Sequence, residues 1–220
     1  MRSVPVAVVL LLILAASPGC QLLRHIPFLS GEPLPPPRAF KDVTLDHGLV
    51  HRVLALPLAD ESGFGTQSDV VSESLRDEIG RLGQFSVVRP SASDAMLKPG
   101  DGPHNTGRIP VATIIELGRR YGVDAVLFGA IFHYRPYSPP ALGMEVSLVD
   151  VQTGRVLWTV RDSVDGSDKR CAVSMEWFFE DEIETDETVF GSDLMHVSPH
   201  WFARFAAHRI AQTLLPPQVK

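Results

Sequence analysis

Residues 122–161 read GVDAVLFGAIFHYRPYSPPALGMEVSLVDVQTGRVLWTVR, and this stretch decides the fold. Residues 124–134 form a nearly continuous apolar run, the pattern of a central strand covered on both faces. Pro136, Pro139 and Pro140 end it, because proline has no amide proton for a strand ladder. In 142–151, Met144, Val146 and Leu148 alternate with Glu145 and Ser147, which predicts a second strand. Gln152, Thr153 and Gly154 connect tightly to 155–162, where Val156, Trp158 and Val160 share one face. Two runs joined so closely form an antiparallel hairpin. Asp150 and Thr153 suit its turn because their side chains bond to turn backbone, and Gly154 accepts a positive φ. Trp158 is expected in the core beneath. These four residues are read as a structural hairpin, not as an active turn.

Upstream, VHRVLALPL at 50–58 reads as the first strand and PLADESGFG as a loop. Val71, Leu75, Ile79 and Leu82 recur at helical spacing and predict a helix from 67 to 82, ended by Gly83. A short strand follows at 85–89. Residues 91–108, rich in glycine and proline, read as a loop. Pro110 opens a second helix, where its missing donor costs nothing, and Gly122 caps it. Residues 163–197 give no clear element. Downstream, Ser198 is a capping candidate and Pro199 opens a last helix. Its Trp201, Phe202, Phe205, Ala206, Ile210 and Leu214 cover one broad face. The predicted order is β-α-β-α-β-β-β-α: an α/β (α+β) domain with a mixed twisted sheet of about five strands and three packed helices.

The N-terminus has a different character. After Arg2 comes the apolar run VPVAVVLLLILAA, then SPGC ending at Cys20. A short basic region, an apolar region and small residues form an export signal, and the run is too short for a comfortable membrane span. Gly19 and Cys20 fit a lipoprotein-type signal over 1–19, with Cys20 carrying fatty acyl chains such as palmitate; Ser17 and Pro18 fit that pattern less well. An ordinary export signal cut nearby is the alternative. Residues 20–49 then form a proline-rich tether, and the domain occupies 50–215, with an acidic variable segment at 163–197. Cys171 is the only other cysteine and reads as a free, partly buried thiol, so no internal disulfide framework is available.

Charged residues make up 21% of the 220 and the net charge is −6, a globular composition that argues against a broad nucleic-acid surface. Gly63 to Gly65 lack the fuller glycine pattern and lysine of a phosphate loop. His196 and His200 have ligand spacing on a helix, and His133 is a third histidine, but Pro199 lies between the first two. Helix-end or solvent-facing histidines are the simpler reading, and no metal or cofactor is expected. Seven acidic residues lie between Glu176 and Glu187 without the calcium-loop pattern. Trp177, Phe178, Phe179, Glu180, Asp181 and Glu182 place aromatics beside charge, as partner surfaces do. Packing of the three aromatics onto the sheet or the last helix is the alternative.

Four segments, in order, resemble one group of envelope proteins. They are VLALPL (53–58), SESLRDEIGRLGQFSVVRP (72–90), RRYGVDAVLFGAI (119–131) and EVSLVDVQTGRVLW (145–158). The chain resembles the periplasmic domain of the curli secretion channel lipoprotein. It is also similar to the N-terminal domain of the Tol-associated propeller protein and to the lipoprotein activator of penicillin-binding proteins. The resemblance covers roughly 50–162 and the last helix more loosely. It implies no catalytic residues. With Gln21 after Cys20, it implies sorting to the outer membrane, facing the periplasm. It departs from the curli channel, since no set of four spanning strands of about nine to eleven alternating residues is found. The expectation is a lipid-anchored, non-catalytic module for assembly, secretion support or enzyme activation. It would work through a protein partner or self-association, with no nucleic acid and no small-molecule substrate. The alternatives are a subunit of an oligomeric curli-type pore, and an exported enzyme with a cleft near 91–108 and 163–197.

Overall fold

The computed structural model describes residues 31–63, 68–91, 94, 108–182 and 196–216. One mixed sheet has seven strands: β1 (Ala39–Lys41), β2 (Arg52–Ala55), β3 (Ala59–Asp60), β4 (Ser86–Val88), β5 (Ala125–Arg135), β6 (Ala141–Asp150) and β7 (Val156–Asp165). Among the described residues, four α-helices accompany it: α1 (Ser68–Arg81), α2 (Val111–Tyr121), α3 (Lys169–Glu182) and α4 (Pro199–Gln212). The strand order is β1-β7-β6-β5-β2-β4, and β3 pairs with β5 off that path. β2 runs parallel to both β4 and β5. Each of those chain reversals passes through a helix, as parallel pairing requires. β5, β6 and β7 form an antiparallel meander.

The sheet divides two cores. Ala125, Leu127 and Ile131 of β5 join the larger one, with Val71, Leu75 and Ile79 of α1, Met175 and Phe178 of α3, and Phe202, Phe205 and Ile210 of α4. Val126, the alternate residue, faces Ile114 and Leu117 of α2 together with Leu54, Leu56 and Val149. β5 is therefore sandwiched where its sequence is most apolar, which explains the unbroken run. Trp158, Phe202 and Phe205 are essentially inaccessible. Each large apolar side chain so buried contributes roughly 1.5–3 kcal/mol. α2 lies very close to the sheet at Gly118, where an added Cβ would fall 2.1 Å from Val151 Cγ1. Gly122 ends α2 in the left-handed conformation at φ +60°.

Three expectations need correction. The sheet has seven strands, not about five, because β1 and β3 are only three and two residues long and carry no periodicity. The fourth helix, α3, lies in the segment that gave no clear element. The chain also joins the fold before residue 50. β1 pairs with β7, placing Phe40 opposite Thr159. Just upstream, the Leu34 amide donates to Ser174 Oγ (2.8 Å), and Arg209 Nη2 donates to the Pro35 carbonyl (2.8 Å). Lys41 Nζ donates to the Leu214 carbonyl (2.7 Å). The proline-rich stretch is thus a strap across α3 and α4 from Leu34 onward.

Candidate functional site

Helix α3 begins after Asp168, whose Oδ1 accepts the Arg170 amide at 2.8 Å. That backbone hydrogen bond is the main reason its carboxyl lies below the usual range. Cys171, Ser174, Met175, Phe178 and Phe179 are buried. Their spacing of three, one, three and one is a single helical stripe against the core. The surface expected at 177–182 therefore divides. Phe178 and Phe179 are core residues, because they complete that stripe. Trp177 is 41% exposed, Asp181 and Glu182 are exposed, and Glu180 is half-buried. Val173, Trp177 and Asp181 follow at four-residue intervals, so they line the outer face of α3.

Behind this face lies a buried charge cluster. Glu78 of α1 is only 3% exposed. Its carboxylate accepts Arg204 Nε at 2.9 Å and His208 Nδ1 at 3.1 Å, both from α4, and is bridged by Arg81. Burial alone would raise the Glu78 carboxyl. The His208 and Arg204 hydrogen bonds and the Arg81 charge outweigh it, and the net direction is down. The cluster seats α3 as well. The Phe178 ring lies 4.8 Å from the His208 ring and 5.7 Å from Phe205. Arg204 Cζ stands 5.7 Å from the Phe178 centroid and 5.3 Å from that of Trp201. Sequence reasoning passed over Glu78. Its signal was position: it adjoins the 71–75–79 stripe, and Arg204 and His208 stand one turn apart on the last helix. With its oxygens engaged by Arg204, Arg81 and His208, the carboxylate acts as a clasp between helices.

The other sequence candidates lie apart from this cluster. Cys171 is fully buried, and desolvation pushes its thiol up to about 12, so it is protonated and inert near neutral pH. At the β6–β7 turn, Asp150 Oδ1 accepts the Thr153 amide (2.6 Å) and hydroxyl (2.7 Å), and Gly154 takes φ +69°. Trp158 Nε1 donates to Thr213 Oγ1 at 3.0 Å, tying β7 to the end of α4. His200 is exposed in the first turn of α4, its ring 5.5 Å from Trp201, and His133 is exposed on β5. Ser198 precedes α4 without a side-chain capping bond. Among the described residues no group of three or more His, Cys, Asp or Glu side chains converges for a metal. Cys20, Gly65 and most of the 91–108 stretch lie outside the described residues, as does 183–195.

No protein-family model matches the chain, and no curated protein matches it. Solved structures similar to it include a PelC dodecamer from Paraburkholderia phytofirmans, at 17% identity over 62% of this chain and 86% of that one, TM-score 0.42. Lipoprotein GNA1162 from Neisseria meningitidis is similar at 18% identity over 52% and 82%, TM-score 0.41. The LpoB C-terminal domain from Escherichia coli is similar at 20% identity over 55% and 92%, TM-score 0.39.

Proposed function

We propose that this chain is an exported envelope protein, tethered through an acylated Cys20 and facing the periplasm from the outer membrane. It acts by protein contact rather than by catalysis, as an assembly, secretion-support or enzyme-activating module. The observation that carries the reading is Trp177. It stands 41% exposed on a helix whose opposite stripe is core, with Asp181 and Glu182 exposed beside it. A large aromatic next to charge is the composition of an interaction anchor. Behind it, the charge cluster at Glu78 is consumed in holding helices together. The signal pattern ending at Cys20 supports export and lipidation.

The test has two arms in the native host. Labelling with a fatty-acid analogue, followed by mass spectrometry of the mature N-terminus, should find acyl chains on Cys20, and Cys20→Ala should release the protein from the membrane fraction. A photo-crosslinking amino acid at position 177 should capture a protein, with less captured from a chain that also carries Asp181→Asn and Glu182→Gln. A mature protein that retains Met1 in the cytosol defeats the reading. So does crosslinking at 177 that captures no protein.

A further inference from the structure

The proline-rich strap places Gly31, the first described residue, beside the outer face of α3. Gly31 packs against α3: a Cβ added to it would lie 3.3 Å from Val173 Cγ2. The Leu34 amide is held by Ser174 Oγ at 2.8 Å. Val173 and Trp177 are four residues apart on the same helix, so they are neighbours on its outer stripe, about 6 Å apart. Gly31 and the exposed tryptophan therefore share one side of the molecule. Ten residues lie between Cys20 and Gly31. Even fully extended they reach at most about 40 Å.

We infer that the Trp177 face is held towards the anchoring membrane, and that it docks a basic protein surface lying within that reach of the same membrane. This rests on the proposal that Cys20 is the anchor. Two observations choose the occupant. The position of Gly31 and the short reach back to Cys20 keep the face near the lipid, which disfavours a partner on the far side of the envelope. The charges beside Trp177 are acidic: Asp181 and Glu182 are exposed, and Glu176 and Glu180 are half-exposed. An anionic lipid surface repels such a face. A protein patch bearing lysine or arginine around an apolar pocket complements both the indole and its rim.

The experiment uses full-length protein in its native host, with a benzophenone amino acid at position 177. One version keeps the natural tether, and a second carries twenty extra Ser/Pro-rich residues inserted after Leu22. Local concentration falls roughly as the −3/2 power of tether length, so extending ten residues to thirty predicts about a fivefold loss of crosslinked product. The captured protein should be membrane-associated, and the product should weaken in high salt. Undiminished or increased capture with the long tether would overturn the inference while leaving a contact-based function intact. So would capture of a protein confined to the opposite membrane or the cell wall. Capture of lipid alone, or of nothing, removes the docking surface and the proposed function together. In a control with the natural tether, a benzophenone at His133, an exposed residue of β5, should not reproduce the pattern.

Discussion

Replacing Glu78 by glutamine tests the clasp between α1 and α4. The substitution keeps shape and removes one charge. It leaves Arg204 and His208, whose side chains are 15% and 18% exposed, facing a neutral amide. Breaking a buried ion pair by removing one partner costs about 3–5 kcal/mol. The residual exposure of Arg204 and His208 places this case near the lower end, at about 3 kcal/mol. For a domain of this size each kcal/mol shifts Tm by roughly 2–4 °C, so a fall of about 6–12 °C is expected. Thermal unfolding followed by far-UV circular dichroism measures it. Glu116→Gln, which breaks the exposed pair with Arg120, serves as the control and should change stability by less than about 0.5 kcal/mol. A cycle with Arg204→Met should show coupling, since the second change costs less once the carboxylate is gone. The pH dependence has a definite sign. The folded carboxyl lies below its ordinary value of 4.5, so its stabilisation is complete above that pH and is lost as pH falls through the lower folded value. In Glu78→Gln this acid limb should flatten. If Glu78→Gln matches Glu116→Gln in stability, or the acid limb is unchanged, the cluster is not the clasp described.

Gly118→Ala should destabilise by about 1–3 kcal/mol, because the new methyl overlaps both Val151 methyls, and Val151→Ala in the same chain should recover part of it. Cys171 should resist a thiol reagent at pH 8 in the native protein and react once denatured; rapid native labelling would contradict its burial and raised pKa. Asp150→Ala removes both acceptor bonds to Thr153 and should cost about 1 kcal/mol in urea, without altering the α-helical signal.

The sequence made the centre of the sheet readable because its signals there are local. The β6–β7 turn announces itself through Asp150, Thr153 and Gly154, and β5 through a run that only a twice-covered strand needs. β1 was not readable. Ala39–Lys41 is a strand only because β7 offers an edge, and the proline run before it has no period of its own. α3 was readable in principle. Cys171, Ser174, Met175, Phe178 and Phe179 hold helical spacing, but the serine in the stripe and the acidic residues around it dilute the apolar contrast. The same dilution made Phe178 and Phe179 look like surface companions of Trp177. The Glu78 cluster lay further out of reach, since its partners are 126 and 130 residues away and nothing local reveals the pairing.

The chain has three tryptophans in three different settings: Trp158 is sealed inside, Trp201 is partly covered and Trp177 opens to solvent. Their emission should separate by colour, with a blue component from the sealed indole and a red one from the open indole. An iodide quencher would reach the second and spare the first. The protein thus carries a built-in optical reference beside a built-in optical sensor. A partner settling on α3 would shift one band while the other certifies that the domain has stayed folded.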